Sequence, residues 1–351
     1  MKNTIKTFTI KNSVVFILFL LLVILAFVDS SLVSVRNFRN IISIGASYLI
    51  VATAFAFCMY IGYLDFSLAF TAGTAGILTA SFFQTTESTY LLYSSAPVIP
   101  VPVVIFLVCI LMCLVGVVLM ILIQKFSFPF YFANLGVIVL LYGIVHVFLH
   151  NSEIGEVYLD GLSESFRNLS TSAIGNDPTY SLPVSVIISI LICMGAWFAM
   201  RKVPLIQKIV HKSKVTHYNV QKSGFTSVEI LLIFCSTGVI ASFGGIMRVA
   251  YVDFVDASFG INFLFDILAI CLISGFSFFG GKGTLPMLIL GTLIYTACCY
   301  AIDFVGFGRF TSYIIRAFII IWSIGIDIYL RQKKSKNEST ISEVGILKNE
   351  K

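Results

Sequence analysis

The sequence predicts an all-α fold, a polytopic membrane protein of about ten transmembrane helices with both termini cytoplasmic, and three observations carry that reading. Hydrophobic residues fill 58% of the 351 positions and charged residues only 11%, a composition outside the range of soluble globular domains. Apolar runs close to the roughly 20 residues that a helix needs to cross hydrocarbon recur along almost the whole chain. They are too long for barrel strands, so their backbone groups must be bonded within helices. The third observation is the segregation of positive charge between alternate connections.

In chain order, the first span, 13–33, follows a basic leader with Lys2, Lys6 and Lys11. That arrangement is shared with signal peptides, but Phe27-Val28-Asp29-Ser30 offers no clear small-residue cleavage site, so it reads as an uncleaved helix. Spans at 41–61, 66–84, 98–123 and 130–150 come next. The acidic stretch 151–182 precedes a span at 183–200, and the basic stretch 201–227 precedes one at 228–247. Spans at 262–279, 285–304 and 311–330 complete the set. The domain division is therefore a segment 1–12, a membrane domain 13–330 and a tail 331–351, whose mixed charge from Gln332 onward predicts a solvated, disordered end.

Placing the N-terminus in the cytoplasm puts every lysine inside and leaves Arg36, Arg39, Arg167, Arg248 and Arg309 outside, with Arg316 in the last span. The stretch 151–182, with Glu153, Glu156, Asp160, Glu164 and Asp177, becomes an external loop, and 201–227 the largest cytoplasmic one. The net charge of +6 then reflects topology and attraction to anionic membrane lipid, not nucleic-acid binding. The run Thr216 to Lys222 in the cytoplasmic loop is compatible with a short docking helix; a loop lying on anionic lipid is the other reading.

The eight cysteines all fall within spans and read as small apolar packing residues rather than a disulfide framework. His146 and His150 share a helix face, but no third ligand stands at metal spacing, so no metal site is expected. Around Lys282 the glycines suggest a phosphate loop, but the pattern fails: Phe276 stands where the first glycine belongs and Gly283 follows the lysine. The chain binds no ATP or other cofactor of its own on this reading and has no catalytic set, so it is not an enzyme. Asp65, Asp266 and Arg316 are functional candidates because charge in hydrocarbon is costly. For each the alternative is a cap or interhelical hydrogen bond, and Arg316 is placed to snorkel outward. Small residues in Gly73-Thr74-Ala75-Gly76 and Thr237 to Gly245 permit close helix approach.

The segment Asp266 to Gly283, ending Gly275-Phe276-Ser277-Phe278-Phe279-Gly280-Gly281-Lys282-Gly283, resembles the D-A-I-A-A-V-V-I-G-G-T-S-L-x-G-G-x-G motif of ATP-binding cassette importer permeases for simple sugars, the ribose/galactose type related to branched-chain amino acid permeases. Gly62, Asp65 and Ser67 resemble its G-G-I-D-L-S, Pro129-Phe130 with Asn134-Leu135-Gly136 its P-F-x-x-T-L-G, and Ile314 to Ile320 with Asp327 its I-I-K-G-L-I-I…D. The matches run in order from about residue 38 to 330. The cytoplasmic A-A-x-x-S-G survives only as Asn219-Val220-Gln221-Lys222-Ser223-Gly224.

The resemblance implies a plasma-membrane permease subunit for a monosaccharide or similar small polar solute. It further implies a cytosolic ATP-binding subunit, an external solute-binding protein and a second permease copy or sister permease as partners. The coupling element would comprise Thr216, His217, Tyr218, Asn219, Lys222, Ser223 and Gly224; Gly275, Gly280, Gly281 and Gly283 would form a structural glycine motif. Asp65, Tyr63, Asn134 and Tyr131 are the expected lining of the solute route, since a sugar needs hydrogen-bonding groups and aromatic faces. A nucleoside or amino-acid cargo, or a stand-alone secondary transporter, are the competing readings.

Overall fold

The computed structural model describes residues 13–93, 99–151, 155–175, 181–215, 225–307 and 309–349. Among these, apolar helices occupy the places of all the expected spans: α1 (Ser13–Val28), α2 (Val35–Ile61), α3 (Ser67–Ala80), α4 (Val101–Gln124), α5 (Phe130–Phe148), α7 (Val184–Lys202), α9 (Ser227–Val252), α10 (Phe259–Ile273), α11 (Pro286–Val305) and α12 (Arg309–Asn349). Seven are long and apolar enough to cross a membrane; α1, α3 and α10 are shorter. Helix α6 (Glu164–Thr171) lies in the expected external loop, and α8 (Pro204–Val215) in the cytoplasmic one.

The alternation of connections expected from the lysines is matched by what meets at each end of the bundle. At one end Thr85 N donates to Gly161 O at 2.9 Å and Ser163 N to Phe83 O at 2.7 Å. There β1 (Leu159–Asp160) also pairs antiparallel with β2 (Phe254–Val255). At the other end Gly281 N donates to Tyr60 O at 2.9 Å.

Helix α3 is the centre of the packing: every residue but Leu78 is buried. Lipid tails are as apolar as leucine, so contact between helices depends on close backbone approach. The small-residue runs provide it where α9 crosses α3 and α4. A Cβ built on Gly76 would stand 2.7 Å from Val249 Cγ2, and one on Gly116 2.8 Å from the backbone nitrogen of Cys235. The eight cysteines are free thiols carried by α2, α4, α7, α9, α10 and α11.

Three boundaries differ from expectation. Helix α10 begins at Phe259 and stops at Ile273, because Gly275 turns the chain with a φ of +82°. The cytoplasmic loop forms its helix at Pro204–Val215, opened by a proline in the first turn where its missing N–H costs nothing; the expected run Thr216 to Lys222 lies outside the described residues. The tail expected to be disordered instead continues α12 to Asn349. The stretch contains no proline and a single glycine, Gly345, so nothing in its backbone chemistry stops the helix.

Candidate functional site

A polar cavity of about 410 Å³ opens at the external end, within the size range of small-ligand pockets. Its walls come from α2, α9, α10, α11 and α12, and include Tyr48, Arg248, Asn262, Phe263, Asp266 and Arg316. Asp266 is the hub. Arg316 Nε lies 2.7 Å from its Oδ1, Tyr48 donates its hydroxyl to Oδ2 at 2.9 Å, and Tyr295 donates to Oδ1. With 2% of its surface exposed, this carboxyl is costly to bury, and the bonds from Arg316, Tyr48 and Tyr295 offset that cost.

Around the hub lie aromatic faces and further hydrogen-bonding groups. Tyr48 and Phe263 rings sit 5.0 Å apart, and the Arg248 guanidinium lies 4.8 Å over the Tyr48 ring. The buried Nη1 of Arg248 has no hydrogen-bond partner among the described residues. Tyr313 donates to Asn262 Oδ1 at 2.6 Å, and Asn262 in turn donates to Ser258 Oγ at 3.2 Å. Donors, acceptors and flat apolar rings in one cavity suit a small polyhydroxylated solute better than an apolar one.

The sequence-derived lining residues lie elsewhere, at the opposite ends of α2 and α3. Asp65 is 1% exposed and accepts from Ser67 N at 3.1 Å, Ser67 Oγ at 2.5 Å and Asn134 Nδ2 at 2.5 Å. It holds the break between α2 and α3 and pins α5 to it. Tyr63 is buried among Phe130, Phe225 and Phe234, whereas Tyr131 is 55% exposed. None of these four side chains is a wall of the external cavity. Of the two readings of Arg316, snorkelling outward or an interhelical bond, the structure shows the second: it turns inward to Asp266. Sequence reasoning missed Tyr48, Arg248 and Asn262. Arg248 read as a loop charge because the span was closed at 247, one residue short of it, while α9 runs on to Val252.

At the cytoplasmic end two assemblies stand out. Thr226 and Glu229 form a capping box at the start of α9, with Glu229 N donating to Thr226 Oγ1 at 3.3 Å and Thr226 N to Glu229 Oε2 at 2.9 Å. The same Glu229 binds Lys212 of α8 at 2.6 Å. The expected coupling residues Thr216, His217, Tyr218, Asn219, Lys222, Ser223 and Gly224 lie outside the described residues. The second assembly is the glycine motif. Gly280 and Gly281 take φ of +76° and +74°, and Arg331 donates to Gly280 O at 3.1 Å and Ser277 Oγ at 2.6 Å. Lys282 lies 3.3 Å from Asp327, so the loop is bound to α12 as well as to α2.

The chain is similar over nearly its whole length to import permeases for simple sugars. It is 26% identical over 332 residues to the galactose/methyl galactoside import permease protein MglC of Haemophilus influenzae, covering 92% of this chain and 96% of that one. The MglC protein of Escherichia coli K12 is 24% identical over 339 residues, covering 95% and 98%. The ribose import permease protein RbsC of Haemophilus influenzae is 23% identical over 318 residues, covering 90% and 93%. No family model matches the chain, and no solved structure matches it.

Proposed function

We propose that this chain is the membrane-spanning permease subunit of an ATP-binding cassette importer for a monosaccharide, energised by a separate cytosolic ATPase and supplied by an external binding protein. The observation that carries the reading is similarity to sugar import permeases across nine-tenths of the chain, in a bundle whose external cavity combines aromatic faces with hydrogen-bonding groups. The cavity receives the solute. Two permease copies, or this chain and a sister permease, enclose the route.

One helix links the two ends. Helix α9 carries Glu229, bound to cytoplasmic α8, near its start and Arg248, a wall of the external cavity, near its end. Its 26 residues span roughly 39 Å as a single rod. A displacement of α8 by the ATPase therefore tilts α9 and changes the cavity wall, so nucleotide state biases the bundle between outward and inward openings.

The test is affinity purification of the full chain from membranes, with and without residues 216–224, together with uptake of labelled galactose and ribose in cells. Recovery of an ABC ATPase that is lost on deletion, with uptake lost in parallel, is the expected result. Sugar uptake that persists without any ATPase would sink the reading in favour of a stand-alone transporter.

A further inference from the structure

An apolar groove of about 260 Å³ lies between α7 and α9, with Thr53, Ala54 and Phe57 of α2 as its floor and Ile206 and Ile209 of α8 closing its cytoplasmic end. The hydroxyls that reach it are already bonded to their own helices: Thr53 to Leu49 O at 2.7 Å, Thr237 to Ile233 O at 2.8 Å and Ser236 to Ile233 O at 3.1 Å. It thus offers a ligand apolar surface and no free hydroxyl donor. Its outer lip on α9, Leu232 and Ser236, is exposed, so it opens sideways where the bilayer would be. From Leu232 to Ile240 its wall is roughly 12 Å long, close to the ~15 Å that one leaflet contributes to the hydrocarbon core.

Next in sequence to its lining residues Met200, Val203 and Ile209 come Arg201, Lys202 and Lys208, all exposed. Arg201 is stacked 4.3 Å over the ring of Trp197, the arrangement of an interfacial anchor. The acid beside them, Glu229, is buried and paired with Lys212 at 2.6 Å and with Lys208 at 3.8 Å, and one carboxylate against four cations leaves the mouth with net positive charge. We propose that this groove holds an acyl chain of an anionic phospholipid of the cytoplasmic leaflet, with its phosphate on Arg201, Lys202 and Lys208. Basic groups at the cytoplasmic face next to a slot between helices match the physical requirements for a lipid headgroup and tail together.

Native mass spectrometry of the full chain, titrated with phosphatidylglycerol and with phosphatidylcholine of the same acyl chains, tests this. The wild type should retain phosphatidylglycerol about tenfold more tightly than phosphatidylcholine. Ala196→Phe or Ala199→Leu, filling the groove, and the triple variant R201Q/K202Q/K208Q should each weaken phosphatidylglycerol retention by about tenfold or more. The triple variant changes exposed side chains only, so it remains informative where a groove-filling variant elutes as aggregate. Equal retention of the two lipids overturns the proposal. So does phosphatidylglycerol binding that depends on the charges but not on the groove, which would be a surface film, or a groove-dependent dimer mass, which would make a second copy the occupant.

Discussion

Arg316 Nε lies 2.7 Å from Asp266 Oδ1, joining α12 to α10 by an ion pair whose side chains are only 16% and 4% exposed. Each residue stands seven positions from the start of its helix, about 10 Å into the bundle. The pair both braces the external end and lines the cavity.

Removing one partner strands the other's charge. Asp266→Ala is expected to cost about 3–5 kcal/mol of stability, with Arg316→Ala similar, whereas Asp266→Leu combined with Arg316→Met recovers most of the loss. Thermal unfolding in detergent reads the difference. Sugar uptake should remain impaired in the double variant because the polar wall is gone; full uptake there would mean that the pair is a brace and nothing more.

Close helix crossing makes a second prediction. Gly116→Ala pushes a methyl to 2.8 Å from the Cys235 backbone nitrogen, so α4 and α9 must separate at a cost of about 1–3 kcal/mol. Gly136→Ala has nothing within 4 Å and should be neutral or slightly stabilising, by up to about 1 kcal/mol. Equal melting temperatures for the two variants would contradict the packing account.

The link from α8 to α9 rests on Glu229. Glu229→Gln removes the charge that holds Lys212 at 2.6 Å and Lys208 at 3.8 Å, so ATP hydrolysis by the reconstituted complex should continue while sugar uptake per ATP falls several-fold. Lys212→Gln should have a smaller effect, since Lys208 remains. Unchanged uptake per ATP in both variants would remove α9 from the coupling route.

In the external layer, burial pushes the Asp160 carboxyl upward, but hydrogen bonds from the Thr89 hydroxyl at 2.6 Å, Thr89 N at 2.9 Å and Ser88 Oγ at 2.9 Å outweigh it and hold the group below its ordinary value. A depressed folded-state value means that its stabilisation is fully present above the ordinary carboxylate range near 4 and fades as pH falls below it. Hydrogen exchange in 81–93 and 155–163 should therefore quicken as pH is lowered through about 4, after correction for intrinsic rates, and Asp160→Asn should flatten that response.

The spans were legible because hydropathy is a property of local sequence, and lysine placement fixed which ends meet. Side-chain partners across helices were not. The charge of Asp65 in hydrocarbon is compatible in sequence with a solute route or with an interhelical bond, and only the fold shows that it bonds Ser67 and Asn134. Tyr48 sits in an unremarked run of α2, and only the fold brings it to Asp266, 218 positions later. In the tail, polar composition argues against a packed core but does not forbid a helix, so composition alone leaves the end of α12 open.

Helix α3 is 14 residues long, roughly 21 Å against a hydrocarbon core of roughly 30 Å, and all but one of its residues face protein. A segment that short, holding Ser67, Thr71, Thr74 and Thr79, gains little by entering a bilayer alone. Its enclosure is supplied mainly by α9, which meets it at Gly76, and α10, which meets it at Gly73, both far later in the chain. The finished bundle is then buffered against membrane thickness at its centre, because the shortest of its apolar helices is almost wholly enclosed by protein.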